Sequence, residues 1–148
     1  MPTRFIESPH DRDMLVTFIS KQPLPLVVSV ERGSKRSVAQ NRLQRQWVLE
    51  IAEQIGETPE YWRGWCKLHF GVGILKAEDE AFAREYDAVV KPLPYDAKLR
   101  LMQEPFDFGV TRRMTARQKK TYLDMIHRHF SEQGVALTDP DMAGMEAA

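Results

Sequence analysis

The chain has 148 residues, 43% of them hydrophobic and 28% charged, a mixture typical of one globular domain with a substantial core. Its 21 basic residues balance 21 acidic ones, so net charge alone predicts no polyanionic partner, and the single Cys66 excludes an internal disulfide and a cysteine-rich zinc site. No apolar run approaches the roughly 20 residues that span a bilayer, and no signal-peptide pattern is present. We therefore expect no membrane association and a cytoplasmic location.

The first 33 residues have the pattern of a β-α-β unit. Residues 3–7 are a short strand candidate, and Ser8 followed by Pro9 is typical of a helix start. The clearest strand is residues 26–30, which are rich in β-branched side chains and precede Gly33. A right-handed crossover would make the two strands parallel, either adjacent or on the two sides of a third.

A long helix is predicted from Ser37 to residue 55, with Gly56 as its left-handed stop. Ser37 and Gln40 fit a capping box, in which each side chain bonds the other residue's backbone N–H. Helical spacing places Gln40 and Asn41 on the first turns of the apolar face. Amides there either cap the helix and hold a neighbouring loop, or contact a ligand.

The C-terminal half is predicted to be mainly helical. Thr58 and Pro59 start a helix to residue 70 whose many aromatic residues indicate a core, a subunit interface or a stacking platform for bases. Residues 77–84 suggest a helix, 86–90 a strand and 96–102 a further helix. Thr115 opens a helix, residues 116–133, with a second capping box and a stop at Gly134. We expect one domain, residues 1–137, and a flexible tail, residues 138–148.

The predicted fold class is therefore α+β: a small mixed sheet, formed by the N-terminal β-α-β unit, with several packed helices.

Positive charge is grouped in two segments without acidic residues: Arg32, Lys35, Arg36, Arg42 and Arg45, then Arg112, Arg113, Arg117, Lys119 and Lys120. A neutral protein with this distribution can present a basic face. The second segment surrounds the start of the last predicted helix, where free N–H groups also attract anions. It is either a phosphate-contacting corner or a solvated helix surface.

No catalytic or metal-binding pattern is recognisable. The Gly71-Val72-Gly73 stretch lacks the third glycine of a phosphate loop, and the four histidines have no known metal spacing. A two-metal nuclease would need clustered carboxylates. The sequence therefore indicates a binding protein with no catalytic residue, no metal and no cofactor.

Two motifs carry a family resemblance. Arg36-Ser37-x-x-Gln40-Asn41-Arg42, after a valine-rich segment and before Trp47, resembles the hallmark of the NinB/Orf family of lambdoid phage recombination proteins. Residues 110–115, and the helix that closes with residues 130–135, are similar to the family's C-terminal helix. Between them, residues 61–63 resemble its tryptophan-bearing second helix, while residues 71–108 show little likeness.

The resemblance implies an α+β homodimer with an intersubunit channel. It also implies a recombination mediator that binds single-stranded DNA, and duplex DNA more weakly, and works with the host single-strand-binding protein to load a recombinase. The positions carried over are Arg36, Gln40, Asn41, Arg112 and Arg113. Gln118-Lys119-Lys120 departs from the family, which commonly has an acidic residue there.

We therefore expect a non-enzymatic, single-strand-preferring DNA-binding homodimer. The predicted DNA-binding residues are Arg36, Gln40, Asn41, Arg45, Arg112, Arg113, Arg117 and Lys120, with Trp47 or Trp62 as the stacking aromatic. One rival is a DNA nuclease or junction-processing enzyme. The other is a protein–protein adaptor whose basic surface recognises an acidic tail, such as that of the single-strand-binding protein.

Overall fold

The computed structural model describes residues 4–32 and 35–140, with residues 35–37 described by their backbone alone. Within these ranges the protein is helical. The helices are α1 (Pro9–Ser20), α2 (Lys35–Ile55), α3 (Pro59–Cys66), α4 (Val72–Glu78), α5 (Glu80–Val89), α6 (Tyr95–Leu101) and α7 (Ala116–Glu132). A π-helical turn, Lys67–Gly71, joins α3 to α4, and a 3₁₀ turn, Thr111–Arg113, precedes α7. The chain divides into two compact units, residues 1–38 and residues 39–148.

The predicted α+β fold is wrong, because no strand pairs with another in the part of the chain that the structure describes. Residues 26–32 and residues 4–7 have no regular secondary structure and make no β-ladder. Residue 3 of the first predicted strand lies outside the described ranges. A β-branched composition favours extended backbone, but a strand also needs a partner whose N–H and C=O groups complete the ladder.

The predicted strand at residues 86–90 is also wrong, since these residues belong largely to α5. Asp79 caps α5 by accepting a hydrogen bond from the N–H of Phe82. Phe82, Tyr86 and Val90 then recur every four residues and are all buried, so the helical period defines the buried face.

The helix ends follow the local capping chemistry. Ser8 accepts from the N–H of Asp11, Thr58 accepts from that of Tyr61, and Thr115 forms the predicted capping box with Gln118. Gly56 and Gly134 have the positive φ values, 90° and 87°, that stop the two long helices. The predicted caps at the start of α1, α3 and α7 and the two predicted glycine stops are confirmed. The predicted cap at Ser37 is wrong, because α2 begins two residues earlier, at Lys35.

Unit 2 has two hydrophobic clusters. The first joins α2, α3 and α7 and contains Leu43, Trp47, Ile51, Cys66, Tyr122, Leu123, Ile126, Phe130 and Val135. The second joins α4, α5 and the loop before α7 and contains Val72, Leu75, Phe82, Tyr86, Val90, Met102 and Val110. Gly71 allows close packing, because a Cβ there would lie 2.6 Å from a methyl group of Val110.

Unit 1 contains α1 and the irregular segment that follows it. The guanidinium of Arg4 lies 4.1 Å from the ring centre of Phe18, and α1 has no buried residue. Several large apolar side chains of this unit are exposed, among them Leu24, Val27 and Val30. None of the helices in the described ranges is both long and apolar enough to cross a bilayer.

Candidate nucleic-acid interface

A groove of about 650 Å³ lies between α5, the loop after α6 and the 3₁₀ turn before α7. Four aromatic and two basic side chains are among those that line it: Phe82, Tyr86, Phe106, Phe108, Arg112 and Arg113. Both arginines are exposed, and neither makes an ion pair with any residue described in the structure. The groove therefore combines apolar ring surface with two cations that are free to bind an anion.

Each arginine has a defined position. The guanidinium of Arg113 lies 5.6 Å from the ring centre of Phe82, within the range of a cation–π contact. The guanidinium of Arg112 packs on Gly109, where an added Cβ would lie 2.3 Å from the Arg112 Nε. Glycine at this position is what allows Arg112 to lie against the backbone of the loop.

The loop that carries Phe106 and Phe108 is held by an ion network from α3 and the π-helical turn. Arg63 donates to both carboxylate oxygens of Glu60, at 2.8 and 2.7 Å, and to Asp107 at 2.8 Å. Lys67, only 2% exposed, donates to Asp107 at 2.8 Å and to the carbonyl of Met102 at 2.7 Å. Lys67 is buried, whereas the side chains of Arg63 and Asp107 are 25% and 39% exposed, and together these contacts tie the loop to α3 and the π-helical turn.

The network also shifts the pKa values of its members. The hydrogen bond from Lys67 is the main cause that lowers the pKa of Asp107, and the one from Arg63 lowers the pKa of Glu60. Burial lowers the pKa of Lys67, while the Asp107 carboxylate opposes that shift. At neutral pH the cluster is charged and paired, and it has a structural role beside the groove.

A smaller cleft of about 110 Å³ adjoins the groove through the loop and Arg112. Arg63, Lys67 and Arg112 supply three cations to its walls, against the carboxylate of Asp107. A water molecule occupies about 30 Å³ in the liquid, so the cleft has room for a small hydrated anion.

Some of the predicted site residues have partners of their own. Arg112 and Arg113 share the groove, whereas Arg117 pairs with Glu78 on α4 and Lys120 pairs with Asp124 at 3.0 Å. Arg45 is exposed on α2, and the side chain of Arg36 lies outside the described part of the structure. Ion pairs as exposed as these contribute little stability, so Arg117 and Lys120 can exchange their partners for phosphate.

The two amides of the first motif occupy opposite environments. Gln40 is 2% exposed, as predicted for the apolar face, but Asn41 is exposed, so its predicted placement on that face is wrong. One residue further along a helix is a rotation of about 100°, enough to move a side chain from the core to the surface. On the buried side, one turn after Gln40, Gln44 accepts a hydrogen bond from Lys119 Nζ at 2.7 Å.

Of the two tryptophans predicted to stack on bases, Trp47 is buried and Trp62 is only partly exposed. Trp47 is 1% exposed, and its N–H donates to the carbonyl of Thr138 at 2.7 Å, which ties the start of the expected tail to α2. Trp62 is half-buried and packs edge-on against Trp65 and Phe130. The exposed aromatic of the groove is Phe106, at 70%. Phe106 was not among the predicted residues, although the alternation of Phe106 and Phe108, four residues before Arg112, was a visible signal.

No group of three potential His, Cys, Asp or Glu metal ligands occurs within residues 4–32 and 35–140. Cys66 is buried, and burial raises the pKa of its thiol, so it belongs to the core. No family model, curated protein or solved structure matches the chain. The function of this chain is therefore inferred from the groove and from the sequence motifs.

Proposed function

We propose that this chain binds single-stranded DNA through the groove and the basic residues around it, without preference for one sequence. The observation that carries the proposal is the position of Arg112 and Arg113, two exposed arginines on the wall of an aromatic groove. Phosphate groups are recognised by arginine and unstacked bases by aromatic rings, so one site offers both interactions.

The same combination favours single strands over duplex DNA. In a duplex the base faces are stacked on one another, so aromatic side chains gain nothing from them unless a base is extruded. Phosphates are available in both forms. We therefore expect duplex DNA to bind through the arginines alone, and more weakly.

Additional basic residues extend the surface beyond the groove. Arg117 and Lys120 lie on α7, just after the 3₁₀ turn that carries the two arginines. Their partners Glu78 and Asp124 are exposed, so phosphate can replace these carboxylates at small cost. Arg45, exposed on α2, is a further candidate contact.

The wider role, a phage recombination mediator that cooperates with a host single-strand-binding protein, is proposed from the sequence motifs alone. A homodimer is part of that proposal and is consistent with the exposed apolar side chains of unit 1, including Leu24, Val27 and Val30. Light scattering on the purified chain measures the oligomeric state directly. A monomer at all concentrations would remove the dimer from the proposal and leave DNA binding to be judged separately.

The primary test is a binding titration with labelled single-stranded and duplex DNA of matched length over a range of salt concentrations. The expected result is preference for the single strand, with log affinity falling by about 0.7 per neutralised phosphate for each unit of log salt. Affinity that is independent of salt, or a strong preference for one duplex sequence, contradicts the proposal. The same DNA incubated with magnesium or manganese should stay intact, and turnover would instead favour a nuclease.

A further inference from the structure

We infer that the aromatic groove receives one unstacked nucleobase of the bound strand, with the ring of Phe106 as its stacking partner. The inference rests on the proposed single-strand binding and specifies which part of the strand enters the groove. Phosphate contacts alone would require only the arginines. Phe82 and Tyr86 belong to the second hydrophobic cluster, but the exposed ring of Phe106 does not, and it requires a different explanation.

The size and the composition of the groove suit a single nucleobase. Its volume of about 650 Å³ falls within the range of small-molecule sites, about 300–1,000 Å³, and accommodates a single base with its sugar. Phe82 and Tyr86 are buried components of the wall, at 7% and 6% exposure. Phe106 also lines the groove but is 70% exposed, so its ring has surface free for another ring.

The loop that holds Phe106 is fixed by hydrogen bonds within the chain itself. The N–H of Glu104 donates to the carboxylate of Glu60 at 2.8 Å, and that of Asp107 donates to the carbonyl of Gln103 at 2.8 Å. The N–H of Phe108 donates to the carbonyl of Leu101 at 3.1 Å. Anchors on both sides of Phe106 reduce the entropy cost when a base stacks on it, so the stacking energy contributes to affinity.

A cleft with three cationic side chains in its walls adjoins the groove. Arg112 lines both the aromatic groove and the smaller cleft that Arg63 and Lys67 also line. In a nucleotide one sugar separates the base from its phosphate, so one nucleotide can place its base in the groove and its phosphate at Arg112. Arginine is suited to this role because its planar guanidinium binds phosphate oxygens in pairs.

An acidic peptide is the other ligand that arginines and aromatic rings can recognise. Glu85 argues against it, because its carboxylate lines the groove and has no hydrogen-bond or ion-pair partner among residues 4–32 and 35–140. That charge would repel a peptide carboxylate, and equally a phosphate, that came close to it, whereas a nucleobase carries no charge. The Glu85 carboxylate can accept a hydrogen bond from the N–H groups on the edge of a nucleobase.

The test compares a short single-stranded oligonucleotide with an all-abasic oligonucleotide of the same length and charge. Phe106→Ala should weaken binding of the normal strand by about five- to hundredfold, because one base no longer has its stacking partner. Its salt slope should be unchanged, since every phosphate-binding residue is still present. Phe106→Tyr should restore binding, and Leu49→Ala, a matched truncation at a 46% exposed site outside the groove, should leave it unchanged.

The outcomes separate this inference from the proposed function. If the full chain binds abasic and normal strands equally, and Phe106→Ala has no effect on either, no base enters the groove, while electrostatic DNA binding stands. If neither strand binds, the proposed function fails as well. Capture of an aspartate-rich peptide that is abolished in Phe106→Ala, without DNA binding, would assign the groove to a protein partner and overturn the inference. Circular dichroism checks that each variant is folded.

Discussion

The ammonium of Lys67 lies 2.8 Å from the carboxylate of Asp107, 40 residues further along the chain. Lys67 belongs to the π-helical turn, and Asp107, with a positive φ of 48°, belongs to the loop that carries Phe106. Because Lys67 is 2% exposed, it cannot turn to solvent if its partner is removed. The pair therefore links the core of unit 2 to the shape of the groove.

The first prediction concerns Asp107→Asn. It removes the charged partner of Lys67 and Arg63, and should lower the free energy of unfolding by about 1–3 kcal/mol at pH 7. Asp124→Asn is the control, because Asp124 pairs with Lys120 on the exposed face of α7 and should change stability by less than about 1 kcal/mol. Urea denaturation measures both. Equal losses of stability in the two variants would show that the burial of Lys67 does not make its ion pair more stabilising than a surface pair.

The same variant should lose its effect in acid. The pKa of Asp107 is lowered from 3.8 in the folded state, so its stabilisation is present above that value and is lost as the pH falls through the folded pKa. The stabilities of wild type and Asp107→Asn should therefore begin to converge as the pH falls below about 4, and converge further as it passes through the folded pKa of Asp107. A difference that persists undiminished to pH 2 would contradict this account.

The second prediction concerns Lys119, which is buried at 8% exposure next to Gln44 and the ring of Tyr122. Burial lowers the pKa of Lys119 from 10.5 to about 8. Between these values the unfolded chain binds more protons than the folded one, so stability from this group rises with pH. Lys119→Met should be at least as stable at pH 7 and should lack that rise. Urea midpoints from pH 7 to 10 test it, and parallel curves for the two proteins would rule it out.

The third prediction is that the double variant Arg112→Ala with Arg113→Ala stays folded and binds single-stranded DNA less tightly. Both side chains are exposed, so their removal empties no core. The salt slope should become shallower by about 0.7 for each phosphate that is no longer neutralised. Arg117→Ala with Lys120→Ala is the charge-matched control, and its effect should be smaller because both residues already have acidic partners. If the variant that lacks Arg112 and Arg113 binds with unchanged affinity and salt slope, these two arginines are solvated surface and do not contact DNA.

The fourth prediction uses two glycines. Gly109→Ala changes no charge, yet its methyl group would lie 2.3 Å from the Arg112 Nε and must displace that guanidinium. DNA binding should weaken in the same direction as in Arg112→Ala. Gly73→Ala, on α4 with no other atom within 4 Å of the new methyl group, should bind normally and gain up to about 1 kcal/mol of stability. Normal binding by Gly109→Ala would show that the position of Arg112 is unimportant.

The fifth prediction separates the two amides of the first motif. Gln40 is buried, and no residue in the described part of the chain accepts a hydrogen bond from its Nε2. Gln40→Met should therefore be neutral or stabilising. Asn41 is exposed, so Asn41→Ala should change stability by no more than about 0.5 kcal/mol. Thermal denaturation measures both, and a large drop in stability in Asn41→Ala would show a structural contact for that side chain.

The helix ends were predictable because their chemistry is local. Ser8, Thr58 and Thr115 each bond an N–H three residues ahead, and Gly56 and Gly134 supply a backbone conformation that other residues avoid. The arginines at 112 and 113 could also be selected from sequence, since they precede a helix start and lack acidic neighbours. These features depend on residues close together in the chain.

The sheet and the aromatic partner were not predictable in this way. Residues 26–32 have strand composition, but whether a segment joins a ladder depends on a partner strand elsewhere. Trp47 and Trp62 were the predicted stacking residues, yet Trp47 is buried, and Trp62 packs edge-on against Phe130 of α7 and is only partly exposed. Burial is decided by what lies opposite a side chain, which composition does not reveal.

By itself, the sequence determined where α1, α3 and α7 begin and where α2 and α7 end, because capping bonds and C-terminal glycines act within one helical turn. Only the tertiary structure decided which side chains meet in the groove. Phe106 is positioned by Glu60, which bonds its loop from 44 residues away, and by Lys67, which bonds Asp107 from 40 residues away. Such contacts follow from the packing of distant helices, and no pattern of neighbouring residues specifies them.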